Sequence, residues 1–315
     1  MNFKATVKKY TLTYKVPAVT SRAVMTEKET FILTVSDPDD PTHKGVGECG
    51  LFRGLSCDDT PEYEDMLNKV CKALRRGSPM PDLSRFPSIR LGLETALADF
   101  ENGGNFTPFP SEFTRGETAL ITNGLVWMSA PDRMMKSAML KIKEGFRCLK
   151  FKIGANNFKD ELDVIARLRE LYTPDQLTIR LDANGAFSGG TEALDKLGKL
   201  ARFGIHSLEQ PVAKGRKRVM ARVCALSPIP IALDEELIGL DPENEASKLL
   251  EDIHPAYVIL KPTLCGGFAG ARQWIDAAAD KDIGWWVTSA LESNIGLNAI
   301  AQWTATLGVG DTPQG

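Results

Sequence analysis

The sequence contains few of the residues that support histidine or metal–thiolate chemistry. Its six cysteines are scattered without a C-x-x-C pair, and none of its three histidines stands at the spacing of a zinc ligand set. The histidines also lie far from any nucleophile motif, so catalysis led by histidine is not expected. We expect the cysteines to be reduced thiols, as is typical of cytoplasmic proteins.

Long apolar runs and an excess of positive charge are missing as well. No stretch approaches the ~18 apolar residues that a membrane span requires. Residues 1–7 alternate like a strand and lack the apolar core of a secretory signal. The net charge of -3 offers little attraction for nucleic acid. We therefore predict a cytoplasmic protein that binds neither membranes nor nucleic acid, and its oligomeric state stays open.

What is present is a composition with enough apolar residues for a large core, 43% hydrophobic against 25% charged. Residues 1–105 are predicted to form an α+β domain with strands over 3–14, 29–36 and 45–49. Asp58–Pro61 predicts the cap and first turn of a helix that runs to about Arg75, and a second helix covers 86–101. Residues 16–25, between the first two strands, are predicted to be a mobile loop that acts as a lid. The segment 101–110, rich in Gly, Pro and Asn, marks the domain boundary.

From residue 106 to 315, apolar strands alternate with helical stretches. The predicted strands are 119–127, 148–153, 177–184, 206–211, 229–235, 257–262 and 284–289. Strands that alternate with helices pair in parallel, and near-continuous apolar strands are buried on both faces. No glycine-rich phosphate loop follows the early strands, which disfavours a doubly wound sheet. The fold prediction is an α/β protein, a TIM-like (β/α)7β barrel with an N-terminal α+β capping domain.

Three successive predicted strands end in a carboxylate: Asp182, Glu209 and Asp234, separated by 27 and 25 residues. Each separation is about one strand–helix unit, and the carboxyl ends of barrel strands meet at one mouth. A single acid at a strand end is commonly a helix cap. Three that converge would repel one another without a cation, and oxygen ligands suit Mg²⁺, with Mn²⁺ also possible. The pattern predicts a metal site.

Lysines flank this carboxylate series on both sides. Lys150 and Lys152 share one face of the strand before Asp182, and Lys261 ends the strand after Asp234. Two neighbouring ammonium groups disfavour each other's charge, so we expect at least one of the pair to have a lowered pKa and to act as a base. An edge strand with two solvated lysines is the alternative for an isolated K-x-K. Together with the carboxylates, the lysines indicate removal of a proton next to a substrate carboxylate.

Two further side chains are expected to support these groups. Arg180 lies two residues before Asp182, deeper on the same face, and is predicted to orient it. Strand alternation places Glu236 on the side of Asp234, so Glu236 is predicted to lie behind the metal ligands rather than in solvent.

The residues described so far resemble the enolase superfamily over essentially the whole chain. Within it, Lys150, Lys152, the three carboxylates and Lys261 are similar to the muconate-lactonizing subgroup. The mandelate-racemase branch instead carries a His/Asp pair on its sixth and seventh strands, which here end in Lys261 and Ser289. Family members usually continue through an eighth strand beyond the position of Gly315, so the resemblance implies that the last strand is incomplete.

The turn Ser289–Asn294 resembles that of o-succinylbenzoate synthases of menaquinone biosynthesis, and the Asp-x-Asp pair of dipeptide epimerases is not found after Lys261. The resemblance implies Mg²⁺-dependent dehydration of 2-succinyl-6-hydroxy-2,4-cyclohexadiene-1-carboxylate, a small-molecule carboxylate. Lys152 would remove the proton and return it to the departing hydroxide, Lys261 would stabilise the anionic ring, and Lys150 would tune Lys152. The expected substrate-binding residues are Ser289, Glu292, Ser293, Asn184, Gly266, Gly267 and, in the predicted lid, Arg22.

Three alternatives stay open from the sequence. The serine turn could be an ordinary cap of the last helix, and Gly266 and Gly267 could serve only a turn. An N-acylamino acid racemase or dipeptide epimerase would use Lys152 and Lys261 as opposed bases. A non-catalytic barrel would leave the buried charges without a use, which is costly.

Overall fold

The computed structural model describes residues 2–19, 24–154 and 156–315. The N-terminal part is an antiparallel three-stranded sheet, in the order β1-β2-β3, packed on two helices. Its elements are β1 (Lys4–Val19), β2 (Val24–Ser36), β3 (Lys44–Cys49), α1 (Tyr63–Arg76) and α2 (Pro87–Glu101). Alternation along β2 buries Phe31, Leu33 and Val35 on the face toward the helices. A side-chain carbon at Gly47 would lie 1.9 Å from the carbonyl oxygen of Gly92, so glycine is required for the close contact between β3 and α2.

The first two strands are longer than predicted, and the loop predicted over 16–25 is wrong at its described residues. β1 continues to Val19, where Ala18 pairs with Met25, and the register shifts between Thr13 and Ala18. Pro17 lies within this register shift of an edge strand, where a missing backbone N–H breaks no ladder bond. Arg22, the predicted lid residue, lies outside the described residues.

The predicted cap of the first helix is also wrong. α1 begins at Tyr63, and no side chain caps it. The Asp58 carboxylate instead accepts hydrogen bonds from the backbone N–H of Ser88 (2.9 Å) and from its hydroxyl (2.6 Å), at the start of α2. One oxygen of this buried carboxylate therefore bonds to the start of a distant helix rather than capping α1.

The second part is a curled parallel sheet of seven strands in the order β10-β9-β8-β7-β6-β5-β4. The strands are β4 (Gly124–Val126), β5 (Cys148–Lys152), β6 (Thr178–Asp182), β7 (Ser207–Glu209), β8 (Ile231–Leu233), β9 (Tyr257–Leu260) and β10 (Gly284–Val287). The helices between and after them are α3 (Pro131–Lys143), α4 (Phe158–Leu171), α5 (Gly190–Leu200), α6 (Lys217–Leu226), α7 (Pro242–Ile253), α8 (Gly267–Ala279) and α9 (Asn294–Ala305). All seven predicted strands are present, each shorter than its apolar run, and the TIM-like barrel with its capping domain is confirmed.

Residues 314 and 315 lie between the first and last strands of this sheet. Gln314 bridges Thr122 in parallel, and the N–H of Gly315 donates to the carbonyl oxygen of Val287 at 2.8 Å. The six cysteines, all described, are free thiols. Within the described residues, no helix is long and apolar enough to cross a membrane. The division at residue 105 stays a prediction, although each part has its own main hydrophobic cluster, with Leu91 of α2 packed in that of the barrel.

Candidate active site

Three acidic side chains lie at the carboxyl ends of three neighbouring strands. Asp182 is the last residue of β6, and Asp234 directly follows β8. Glu209 is the last residue of β7 and is paired with Asp182 across the two strands. Parallel pairing in register sets these ends side by side, which is why residues 25 and 27 positions apart in sequence meet. All three are buried, at 0%, 2% and 2% exposure respectively, so their charges require partners.

The lysine pair of β5 supplies two of those partners. Lys152 is paired with Asp182 across β5 and β6. The Lys150 Nζ lies 2.5 Å from a Glu209 oxygen and 2.9 Å from an Asp182 oxygen, and the Lys152 Nζ lies 2.5 Å from the same Asp182 oxygen. Both lysines are buried rather than solvated at a sheet edge. The structure therefore brings the pair together with the carboxylates.

Lys261 and an amide complete the cluster. Lys261, just after β9, forms an ion pair with Asp234. The Lys152 ammonium also donates to Asn184 Oδ1 at 3.0 Å, and the Asn184 amide nitrogen donates to Glu235 Oε1 at 3.0 Å. Asn184 has a φ of 46°, in the left-handed region that Asn tolerates better than most residues. Asn184 thereby links Lys152 to the segment after β8.

Glu236 does not take the position predicted for it. A short 3₁₀ helix over Glu235–Leu237 begins directly after Asp234, so strand alternation stops at that point. The Glu236 carboxylate accepts the backbone N–H of Gly215 at 3.1 Å, outside the cluster. Glu235 is the residue that approaches the site, and a helical turn placed it there.

Opposite charges dominate the electrostatics of the cluster. Burial lowers the pKa of Lys150, but Asp182 and Glu209 more than offset it, so its pKa is raised. For Lys261, burial likewise lowers the pKa and Asp234 reverses the effect, leaving it raised. Lys150 therefore does not have the lowered pKa considered for the pair, because the carboxylates outweigh the repulsion between the ammonium groups.

The carboxylates respond unequally to the same environment. Burial raises the pKa of Asp182, but Lys150 and Lys152 reverse this and hold it well below its ordinary value. Burial and the neighbouring charge of Asp182 raise the pKa of Glu209 well above its ordinary value. Crowded carboxylates of this kind are stabilised by added positive charge.

The donor set fits a hard divalent cation. Three carboxylates are the oxygen ligands that Mg²⁺ and Mn²⁺ take, and Glu209 Oε1 is buried without a hydrogen-bond partner among the described residues. Within the same residues, no group of three or more acidic, histidine or cysteine side chains has the arrangement of a formed metal site. The ammonium groups engage carboxylate oxygens that a cation would bind.

A pocket opens on this cluster between the barrel and the capping domain. Lys150, Lys152, Lys261 and Asn184 line its barrel side, together with Asn123, Thr288 and Ser289. Apolar side chains line much of the remainder: Met25, Phe52, Leu55, Leu125, Trp127, Leu264 and Leu291. Phe52 and Leu55, in the turn after β3, are pocket residues that were not predicted from the sequence. The sequence indicated them only as two apolar residues in a segment that is otherwise rich in turn-forming residues.

The anion that the serine turn binds is a side chain of the protein, the carboxylate of Glu48. Ser293 is the N-cap of α9, as the alternative for this turn expected. Glu48, buried on β3, accepts the backbone N–H of Ser293 at 2.9 Å, its hydroxyl, and the N–H of Gly296 at 2.9 Å. Glu292 accepts the Thr263 hydroxyl and the N–H of Ala290 (2.6 Å). Ser289, Ala290 and Leu291 of the predicted turn line the pocket.

A carboxylate of the capping domain also lies against the glycine pair that follows β9, Gly266 and Gly267. Glu94 on α2 accepts the N–H of Phe268 at 2.6 Å, at the first turn of α8. A side-chain carbon at Gly267, whose φ is 72°, would lie 2.6 Å from Glu94 Oε2. Gly266 is buried with a φ of 106° and precedes α8. Neither glycine lines the pocket described above, so the turn alternative accounts for them.

Arg180 lies inside the barrel in the middle of β6, two residues before Asp182. Its guanidinium stacks 3.8 Å from the centroid of the Trp286 ring and donates to the carbonyl oxygen of Pro313 at 2.7 Å. No hydrogen bond joins it to Asp182 among the described residues, so the predicted orienting contact is absent there. Its position explains this, because two residues along a strand span about 7 Å.

Comparisons with known proteins agree with this architecture. The sequence profile described as "Enolase C-terminal domain-like" matches residues 133–311. The o-succinylbenzoate synthase of Desulfotalea psychrophila is 43% identical, over 93% of this chain and 88% of that protein. The crystal structure of MenC from the same organism superposes with a TM-score of 0.85, at 39% identity, over 100% of this chain and 93% of that one. The L-Ala-D/L-Glu epimerase of Bacillus subtilis is 29% identical over 59% of this chain and 50% of that protein. The profile match and the similarity to the Desulfotalea psychrophila protein show that the chain belongs to the enolase superfamily.

Proposed function

We propose that this chain is an o-succinylbenzoate synthase, a Mg²⁺-dependent dehydratase of menaquinone biosynthesis. Its substrate would be 2-succinyl-6-hydroxy-2,4-cyclohexadiene-1-carboxylate. The relative at 43% identity carries the name o-succinylbenzoate synthase, and it is similar over nearly the whole chain. A cytoplasmic location stays a prediction from the sequence.

The composition of the pocket wall carries the choice of substrate class. Lys150, Lys152 and Lys261 line one side, apolar side chains line another, and no Asp or Glu side chain is among the described residues that line it. Ammonium groups attract an anionic substrate, and the apolar side suits a hydrocarbon ring. A dipeptide would bring an ammonium group of its own, for which this lining offers no acidic partner.

Asp182, Glu209 and Asp234 are the residues that would hold the divalent cation. A cation bound there would lower the pKa of neighbouring ammonium groups and stabilise the dianion formed when a proton leaves the carbon next to a carboxylate. Lys150, which contacts both Asp182 and Glu209, then helps keep those carboxylates ionised.

Lys152 would carry the proton. As a neutral amine it removes the proton from the carbon next to the ring carboxylate, and the electron pair of the C–H bond enters the conjugated carboxylate. The ring C–OH bond then breaks, and the leaving hydroxide takes the proton from the Lys152 ammonium, so that water departs and the ring becomes aromatic. Asn184 Oδ1, 3.0 Å from Nζ, holds the side chain in position between the two steps.

Lys261 would stabilise the anionic ring from the other side of the pocket. It lies on the far side of the carboxylate series from Lys152, after β9, and lines the same pocket. A cation that faces a delocalised anion lowers its energy without receiving the proton. Ser289 and Asn184, which also line the pocket, are proposed to contact the substrate. The contacts described at Glu292, Ser293, Gly266 and Gly267 are with other residues of the protein.

The decisive experiment incubates the purified chain with Mg²⁺ and the cyclohexadiene substrate and follows the ultraviolet absorbance of the aromatic product. We expect turnover that chelation abolishes and added Mg²⁺ restores. Lys152→Ala should lower kcat by about 10²–10⁴-fold, the usual contribution of general acid–base catalysis. The matched control, Lys143→Ala at an exposed position of α3, should leave kcat unchanged. Absence of product from a Mg²⁺-loaded, folded chain would refute the proposal.

A racemase of N-acylamino acids is the second candidate, and one observation favours it. Lys152 and Lys261 come from β5 and β9 and line one pocket, as two opposed bases would. The N-succinyl-L-Arg/Lys racemase of Bacillus cereus is 28% identical over 54% of this chain. Exchange of the α-hydrogen of an N-succinyl amino acid for deuterium in D₂O, without any dehydration of the cyclohexadiene, would favour this function over the first.

A further inference from the structure

A buried lysine of the capping domain reaches the far wall of the pocket. Lys28 on β2 is 7% exposed, and its Nζ donates to the carbonyl oxygens of Ala290 (2.9 Å) and Leu291 (3.0 Å). The same Nζ lies 5.6 Å from the centroid of the Phe52 ring. Both Leu291 and Phe52 line the pocket, whereas Lys28 does not. One ammonium group therefore contacts two of its walls from behind.

The position of Lys28 follows from strand alternation. Phe31, Leu33 and Val35 turn toward the helices of the capping domain, so Lys28 and Thr30 point the opposite way, toward the barrel. Burying an ammonium group is unfavourable unless it is hydrogen-bonded and paired with opposite charge. The two carbonyl bonds and the nearby charges of Glu292 and Glu48 offset part of this cost, and burial still leaves the pKa of Lys28 lowered.

The segment that Lys28 holds is strained. Leu291 has a φ of 61°, in the left-handed region that a leucine rarely adopts. Such a backbone persists only where surrounding contacts enforce it. Lys28 binds its carbonyl and that of Ala290, while Glu292 binds the N–H of Ala290 and the hydroxyl of Thr263. The shape of this wall thus depends on a residue more than 260 positions away in sequence.

We propose that Lys28 is a positioning residue that sets the shape of the substrate pocket by holding the 290–291 turn and the Phe52 ring together. The proposal rests on the function proposed above. Lys28 touches neither the lysine bases nor the metal-ligand carboxylates in any described contact, so its loss should weaken substrate binding and leave proton transfer largely intact.

The test compares Lys28→Met with Lys28→Arg and with Lys8→Met, an exposed lysine on the neighbouring strand β1. Steady-state kinetics of the Mg²⁺-loaded enzyme should show KM raised about tenfold by Lys28→Met, with kcat within about threefold, because misplacement of a wall costs binding first. Lys28→Arg, which keeps the charge and donors, should recover most of the change. Lys8→Met should match the wild-type protein.

A second readout does not depend on the reaction. Hydrogen–deuterium exchange of a peptide that covers 288–293 should be faster in Lys28→Met than in the wild-type protein and slower again in Lys28→Arg. If Lys28→Met fails to fold, Lys28→Gln, which keeps a donor but not the charge, takes its place with the same expectations. Unchanged exchange in 288–293 overturns the proposal, as does a fall in kcat with KM unchanged. If the wild-type chain lacks the proposed activity, that function fails, and the exchange experiment still decides the role of Lys28.

Discussion

The clearest quantitative prediction concerns Glu48, the carboxylate that joins β3 of the capping domain to the start of α9. It is fully buried and accepts four hydrogen bonds. Replacement by alanine removes all four. The Thr30 hydroxyl keeps an acceptor, the carbonyl oxygen of Cys49 at 3.3 Å. The backbone N–H groups of Ser293 and Gly296 lose the acceptor described for them.

Those two N–H groups set the magnitude. A buried donor left unsatisfied costs about 1–3 kcal/mol, so the pair costs about 2–6 kcal/mol. The lost interaction between a negative charge and the N-terminus of α9 adds about 1 kcal/mol. We therefore expect Glu48→Ala to lower the free energy of unfolding by about 3–7 kcal/mol. Glu48→Gln keeps one oxygen acceptor and should lose about half as much, at about 1.5–3.5 kcal/mol.

The measurement is urea unfolding of the three proteins, followed by far-ultraviolet circular dichroism and by tryptophan fluorescence. Glu27→Ala, at an exposed position of β2, is the control and should stay within about 0.5 kcal/mol of wild type. The tryptophans all lie after residue 105, so fluorescence reports the barrel part. A loss below about 1 kcal/mol for Glu48→Ala would show that Glu48 does not hold the two parts together in the way argued.

Three further predictions address pH, packing and the metal. Burial raises the pKa of Asp58 to about 6, so the carboxyl group of Asp58 binds its proton more tightly in the folded chain than in the unfolded chain. Protonation of Asp58 therefore stabilises the fold fully below about pH 4, and this stabilisation is lost as the pH rises through about 6. The difference in unfolding free energy between wild type and Asp58→Asn should therefore fall by about 3 kcal/mol from about pH 4 to about pH 7 in urea titrations, and a constant difference would contradict it. Gly267→Ala should cost about 2 kcal/mol more than Gly116→Ala, because both have a φ near 72° but only Gly267 meets a neighbour, the Glu94 carboxylate; equal losses in thermal unfolding would rule out the clash. Asp182→Asn should weaken Mg²⁺ binding more than about tenfold by calorimetry, since even the loss of an outer partner of a ligand costs about 10–100-fold, and unchanged affinity would remove Asp182 from the metal site.

Some features of the site could be predicted because they depend on local pattern. Asp182 and Glu209 end apolar strands, and equal spacing along strand–helix units places such ends side by side in a parallel barrel. The position of Glu236 could not be predicted in the same way. The prediction from strand alternation required the extended backbone to continue past Asp234. The backbone instead forms a 3₁₀ turn directly after Asp234.

The serine turn shows a second kind of limit. Its residues indicated an anion-binding helix start, and the structure has an anion bound at that start. The sequence of the turn does not say whether that anion is a substrate or a side chain, because Glu48 lies 245 positions earlier. The same holds for Gly267, which faces Glu94 of a different domain.

The sequence alone determined the barrel, its capping domain and the set of lysines and carboxylates at the strand ends. Periodicity and unit spacing are short-range properties, and the geometry of a parallel barrel converts them into one convergent site. Only the tertiary structure decided which partners the buried charged groups have. Lys150 is paired with two carboxylates, Glu48 accepts hydrogen bonds from the start of α9, and Lys28 donates to the strained turn at Leu291. Electrostatic interaction depends on distance and burial, and for residues far apart in sequence both are set by the packing of the folded chain.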